Sequence, residues 1–373
     1  MRRIIVALAA AACALLWWTA TAGAQERAGD AIPGSYVVVV KPGSDPKAVA
    51  EGHGARAEHV FRSALNGFAA RLSDKQAAKL KASPKVDYVE QDRVFTTETT
   101  QTGATWGLDR SDQRALPLSG TYTYTNDGSG VTAYVIDTGI TSTHPDFGGR
   151  ARNVYDAFGR NGEDCNGHGT HVSGTIGGSA YGVAKSVQLR GVRVLNCNGS
   201  GSTSGIVSAL NWLAQNHAAR AVANMSLGGS YSAALNNATT GLVNSGVFVA
   251  VAAGNESQSA CNVSPASAGG AYASAAADRT DTRASFSNYG SCVDGYAPGV
   301  SITSDWKNGG TNTISGTSMA SPHTAGVAAL YKGANGDASA SVITSWINSQ
   351  ATAGVIKSNP SGTPNRLLFK ASL

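Results

Sequence analysis

Four short segments constrain this chain more than any others. Residues 131–136, 221–225 and 247–253 are apolar almost without interruption, and residues 187–195 are read as a further strand of the same set although Gln188, Arg190 and Arg193 interrupt them. A strand wetted on one face alternates apolar and polar side chains, whereas one apolar on both faces must be covered on both. Stretches with helical patterning lie between and after these segments, at residues 171–176, 205–216, 235–245 and 319–331. The alternation predicts an α/β domain from about residue 106 to residue 373, a mostly parallel sheet with helices on both faces. In such sheets reactive groups gather beyond the carboxyl ends of strands. Asp137 follows the first segment directly, and Asn255 stands two residues past the last.

Residues 32–95 read as a smaller α+β unit. Residues 36–40 are a β-branched run, residues 57–61 and 68–72 are strand candidates joined through Asn66-Gly67, and residues 86–90 alternate as a last strand. A short helix is expected over 45–51. Ser73-Asp74-Lys75-Gln76 has the form of a capping box, opening a helix that runs to about Lys81. The order β-α-β-β-α-β is the ferredoxin-like split βαβ arrangement. Residues 96–105 are polar and Thr-rich, and read as an exposed linker open to proteolytic nicking.

Residues 1–24 have the build of a signal peptide: Arg2 and Arg3, an apolar run over 4–18, then Ala22-Gly23-Ala24. Export to the extracellular medium is therefore expected, with no membrane association once the signal is removed. Without Cys13, four cysteines remain: Cys165, Cys197, Cys261 and Cys292. An even number in an exported protein implies disulfides, with three pairings open, and the spacing matches no zinc pattern. Charged residues make up 14% of the chain, with 29 Lys and Arg against 24 Asp and Glu. No basic cluster argues for a nucleic-acid partner.

Three runs carry the chemistry, in the order 135–139 (Val-Ile-Asp-Thr-Gly), 167–171 (Gly-His-Gly-Thr-His) and 316–322 (Gly-Thr-Ser-Met-Ala-Ser-Pro). A serine hydroxyl needs a base to take its proton, and the base needs a carboxylate to fix its tautomer. Asp137, His168 and Ser318 supply the three parts, with Ser315 and Ser321 as competitors for the nucleophile. Ser318 near a helix N-terminus has backbone N–H groups and a dipole that favour an oxyanion. Asn255 offers a side-chain N–H for the same charge. His171 shares a helix face with His168, but no Glu accompanies the pair as a zinc motif requires, so it reads as a structural neighbour. The order Asp, His, Ser differs from both the chymotrypsin and the α/β-hydrolase orders.

On these runs, together with residues 164–177, 224–229, 250–255 and 285–290, the segment from Trp106 to Leu373 resembles the subtilisin-like serine proteases. It is nearest to the proteinase K group and its aqualysin-like bacterial members. The resemblance implies a secreted endopeptidase working through an acyl-enzyme, without an organic cofactor, as a monomer. It implies that residues 25–98 are an inhibitory propeptide removed by self-processing, leaving 99–373 as the catalytic domain. Cys165 should pair with Cys197, and Cys261 with Cys292. Gly199, Ser200 and Gly201, with Ser226, Leu227 and Gly228, should hold an extended peptide substrate as an added strand. Leu227, Ala252, Ala253 and Gly254 should line the pocket for the residue before the scissile bond. No charge is visible in those segments, so apolar or aromatic side chains are expected there. Structural Ca²⁺ is expected at Asp109, Asp112 and Gln113, and at Asp294 with the carbonyls of Gly269 and Ala271. The rivals are an α/β-hydrolase lipase, disfavoured by the order of the triad, and a binding protein that kept the fold and lost activity.

Overall fold

The computed structural model describes residues 31–93 and 99–373. The expected signal peptide and residues 94–98 of the expected linker lie outside them.

The N-terminal unit runs β1 (Ala31–Val40), α1 (Pro46–Gly52), β2 (Ala57–Phe61), β3 (Gly67–Arg71), α2 (Asp74–Lys81) and β4 (Val86–Arg93). Its sheet has the order β2-β3-β1-β4 with antiparallel neighbours, the ferredoxin-like order expected. Both arms of the capping box are present: Ser73 Oγ accepts from the Gln76 N–H, and Gln76 Oε1 accepts from the Ser73 N–H. One detail differs from the sequence reading. Phe61 pairs with Gly67, so the β2–β3 loop is residues 62–66 and Gly67 is a strand residue. A Cβ there would lie 2.3 Å from the Val38 carbonyl oxygen, so Gly67 serves close strand approach rather than a turn.

The larger unit opens with β5 (Thr99–Thr102), α3 (Trp106–Asp112) and β6 (Thr121–Tyr124). β5 pairs antiparallel with β6, so four residues of the expected linker are a strand. There follow β7 (Thr132–Asp137), β8 (Ala151–Asp156), α4 (His168–Gly177), β9 (Gln188–Arg193), α5 (Thr203–Asn216) and β10 (Ala221–Met225). Next come β11 (Gly229–Ser230), α6 (Ala233–Asn244), β12 (Phe248–Ala252), β13 (Val263–Ser264), β14 (Tyr272–Ala277) and β15 (Gly295–Pro298). A hairpin of β16 (Ile302–Trp306) and β17 (Gly310–Ile314) precedes α7 (Thr317–Asn335), α8 (Ala340–Gln350), β18 (Thr352–Ala353) and β19 (Arg366–Leu367).

The central sheet has nine strands in the order β18-β19-β15-β14-β12-β10-β7-β9-β8. Every neighbouring pair is parallel except β18 with β19. Its side chains alternate between two cores. Ala133 and Val135 of β7, with Phe248 and Ala250 of β12, face the layer of α4, α7 and α8. Tyr134 and Ile136, with Val249 and Val251, face the layer of α5 and α6. That two-sided burial is the physical reason for the unbroken apolar runs. The chain leaves β7 to build β9 and β8 on one side, then β10, β12 and β14 on the other. The reversal beside β7 opens a crevice at the carboxyl ends of β7 and β10.

Candidate active site

Asp137 is the last residue of β7 and is fully buried. Its Oδ1 accepts from the Thr138 N–H at 2.7 Å. Both of its oxygens face Nδ1 of His168, at 2.8 and 2.9 Å. His168 opens α4, and its side chain keeps 25% of its exposure. Burial alone would push the imidazole down, but the Asp137 carboxylate outweighs it and holds His168 above its ordinary value. This geometry leaves Nε2 toward the cleft as the proton acceptor.

Ser318 is the second residue of α7. Four residues on, Pro322 has no N–H to offer, so the Ser318 carbonyl lacks its helical partner. The Ser226 hydroxyl fills that place, donating to the Ser318 carbonyl at 2.7 Å. In return the Ser318 hydroxyl donates to the Ser226 carbonyl at 3.2 Å, the position it holds in this structure in place of a bond to His168. Serine–base hydrogen bonds are commonly made only when substrate is bound. The competing serines are engaged elsewhere. Ser321 is buried and donates to Asn224 Oδ1 at 2.6 Å, and Ser315 Oγ accepts from the Ser301 N–H.

Asn255 lies three residues beyond β12. Its Oδ1 accepts from both the backbone N–H and the hydroxyl of Thr317, at 2.8 and 3.0 Å. The amide is thereby oriented with Nδ2 as a free donor beside Ser318.

His168 and Ser318 line one cleft of about 740 Å³, with Gly199, Ser200, Gly201, Ser226, Leu227 and Gly228 on its walls. A smaller hollow of about 90 Å³ adjoins it, lined by Leu227, Gly228, Ala252, Gly254, Asn255, Glu256 and Ser318. Ala253, expected in that lining, is wholly buried behind it, with its carbonyl accepting from Asn288 Nδ2 at 2.9 Å. Glu256 is the residue missed from sequence. It is exposed at the hollow, and its Oε2 accepts from Asn288 Nδ2 at 2.8 Å. The run 252–255 ends one position too early to include it.

Both disulfides form as the resemblance implies, Cys165–Cys197 and Cys261–Cys292. The first joins the turn before α4 to the 196–201 wall of the cleft. His171 is structural: Nε2 donates to the Ile302 carbonyl at 3.0 Å, and burial pushes its value down to about 4. His323 is likewise buried, with Nδ1 donating to the Met319 carbonyl and its value pushed down to about 4 by burial.

The two expected calcium sets fare differently. Asp109 accepts from Ser119 and Gly120, Asp112 from Thr123, and Gln113 Oε1 from Ser119. The Lys370 ammonium stands 3.0 Å from the other oxygen of Asp112. In this structure the side-chain oxygens of this first set meet peptide and hydroxyl donors of the 119–123 segment and, at Asp112, the Lys370 ammonium, contacts that brace α3 against β6. Asp294 is different: one oxygen accepts from the Ala273 N–H at 2.8 Å, and burial pushes the carboxyl up to about 6. The Gly269 carbonyl expected to join it accepts from the Thr240 hydroxyl at 3.0 Å, and a half-buried carboxylate with one peptide donor remains the kind of hard oxygen that Ca²⁺ takes. Among the described residues, no group of three His, Cys, Asp or Glu side chains could hold a metal ion, and no helix is long and apolar enough to cross a membrane.

Residues 128–367 match the subtilase family, and residues 41–98 match the peptidase inhibitor I9 family. The chain is 48% identical to an extracellular serine proteinase of Thermus sp. (strain Rt41A), over 91% of this chain and 90% of that one. It is 51% identical to alkaline serine exoprotease A of Vibrio alginolyticus, over 84% of this chain and 60% of that one. A crystal structure of a cold adapted subtilisin-like serine proteinase superposes with a TM-score of 0.71 at 52% identity, covering 73% of this chain and 99% of that one. The chain belongs to the subtilase family of serine proteinases.

Proposed function

We propose that this chain is a secreted endopeptidase, made as a precursor that matures itself, with Asp137, His168 and Ser318 as its triad. The carrying observation is the Asp137–His168 pair at 2.8 Å in a cleft that also holds the Ser318 hydroxyl. His168 Nε2 takes the Ser318 proton as Oγ attacks the peptide carbonyl, and Asp137 stabilises the imidazolium. Asn255 Nδ2 and the Ser318 N–H donate to the oxyanion. His168 then protonates the leaving amine, and water repeats the sequence on the acyl-enzyme.

Residues 1–24 are the signal, 25–98 the propeptide and 99–373 the catalytic domain in this reading. The I9 match supports an intramolecular inhibitor. The hollow beside Ser318 favours apolar and aromatic side chains before the scissile bond, and Glu256 at its edge admits long basic ones. Subtilases commonly bind structural calcium. In this chain Asp294 with the Gly269 and Ala271 carbonyls would hold it, where it would neutralise a half-buried carboxylate and pin the loop before β14.

The test is expression of the full chain beside Ser318→Ala, weighing the secreted products by mass spectrometry. Loss of everything before roughly residue 99 in the parent alone is expected, since the nucleophile drives processing. Identical cleavage of both forms would assign maturation to another protease.

A further inference from the structure

The first turn of α4 has no capping side chain of its own, because its N-cap is Gly167. Only glycine fits there: its φ of 114° is left-handed, and a Cβ would lie 2.4 Å from the Trp306 ring. The orphan N–H groups of a helix start still need acceptors. The His168 N–H goes to Asn166 Oδ1 at 3.2 Å, and that of Thr170 to the buried carboxylate of Asp164, four positions before His168. Asp164 Oδ1 accepts from the Asn166 and Gly167 N–H groups at 2.9 and 2.8 Å. Its Oδ2 accepts from the N–H and hydroxyl of Thr170 at 2.9 and 2.6 Å. Oδ1 also takes the hydroxyl of Thr138 at 2.8 Å, and Thr138 Oγ1 in turn accepts from the Gly169 N–H at 2.9 Å. Thr138 directly follows Asp137. One carboxylate thus ties the strand end carrying Asp137 to the helix turn carrying His168.

We propose that Asp164 is a positioning residue for the reaction, holding the α4 first turn so that His168 stays seated on Asp137. The inference rests on the triad reading above. A fixed backbone spacing matters because a displacement of about 1 Å in a reacting group costs on the order of a hundredfold in rate. The charge of Asp164 acts in the same direction. Burial pushes the imidazole down, and the carboxylates of Asp137 and, to a smaller degree, Asp164 hold it up.

The test compares the mature parent enzyme with Asp164→Asn and Thr138→Val on a short peptide anilide. Active sites are counted with a serine-directed phosphonate, so that loss of folded enzyme is not read as slow turnover. Asp164→Asn turns an acceptor into a donor facing Thr170. It is expected to lower kcat by about tenfold or more, with KM within about twofold, and to shift the acid limb of kcat/KM to lower pH. Thr138→Val leaves the carboxylate and cuts the tie to Gly169, so a smaller fall in kcat is expected. It decides the matter should Asp164→Asn not fold. If the titrated variants keep the parental kcat and acid limb and only melt earlier, Asp164 is structural and the inference is overturned. If the parent and Ser318→Ala are equally inert on the anilide, the triad reading fails and takes the inference with it.

Discussion

Asn255 illustrates how one side chain is committed by its neighbours. Thr317 occupies its oxygen twice, so the amide cannot flip without losing both bonds, and Nδ2 stays beside Ser318. A donor already oriented toward the position of the oxyanion acts mainly in the transition state. Asn255→Ala should therefore reduce kcat by about 100-fold or more with little change in KM, the magnitude known for loss of the oxyanion-hole asparagine in subtilisin. Steady-state kinetics on a peptide anilide checks it, and a rise in KM at constant kcat would contradict the assignment. Asp137, His168 and Ser318 are legible in the sequence because each sits beside small residues at a strand or helix end, and Asn255 because it closely follows the most apolar run. Glu256 is not, because its place is set by Asn288, which binds the Glu256 and Gln258 N–H groups as well as the Glu256 carboxylate from a loop thirty-two positions away. Partnerships of that kind leave no trace in local spacing.

The β16–β17 hairpin is the element on which α4 rests. Its Ile302 carbonyl takes the His171 N–H, its Trp306 ring fills the space above Gly167, and the Lys307 ammonium that follows donates to the Cys165 carbonyl. Beneath the same helix, Asp305 is fully buried, and neither of its oxygens, nor Asp146 Oδ2, accepts from any other donor, which leaves a proton shared between the two carboxyl groups as their hydrogen bond. A Cβ added at Gly178 would lie 2.2 Å from Asp146 Oδ2 and 2.9 Å from Asp305 Oδ2, so the two carboxyl groups face each other. His144 Nδ1 stands 3.6 Å from Asp305, and Arg150, Tyr181 and Lys185 are other titratable groups in the field of the pair. Burial first, and then the Asp146 carboxylate, push Asp305 up to about 8 from an ordinary 3.8. In the fold it keeps a proton that the unfolded chain has released, so this group subtracts stability progressively from about pH 4 to pH 8 and by a constant amount above. Asp305→Asn should gain on its parent across that window, reaching a few kcal/mol by pH 8. Chemical denaturation of both in a Ser318→Ala background checks this, and parallel stability curves would remove the proposed titration. The hairpin itself is illegible in the sequence, since residues 302–314 are rich in Thr, Asn and Gly with no apolar run. β5 reads as linker for the same reason: its Thr side chains carry no pattern, and only backbone pairing with β6 makes it a strand.

At the scale of the whole molecule, covalent and ionic ties close different parts of the chain. The Cys165–Cys197 bridge spans the cleft walls, and Cys261–Cys292 ties the segment after β12 to the one before β15. At the start of the larger unit Asp109 and Asp112 meet peptide donors and Lys370, and the buried Arg110 pairs with Asp281 at 2.7 Å. Asp294 is half-buried, with burial raising its value to about 6 and the Ala273 N–H bonded to it at 2.8 Å. A cation there would relieve that cost, and bound Ca²⁺ would stabilise the native state by mass action, so that its removal would lower Tm. Mature Ser318→Ala protein, made with the propeptide supplied separately, should melt at a lower temperature after chelation and recover with added Ca²⁺. Asp294→Ala should melt early and be indifferent to chelator. Asp109→Ala should also melt early, through lost hydrogen bonds, yet keep the full response to chelator. The two variants thereby separate a calcium ligand from a residue that merely braces α3, because both weaken the fold and only one uncouples it from the metal. A chelator response that survives Asp294→Ala and disappears with Asp109→Ala would reverse the assignment of the two sets.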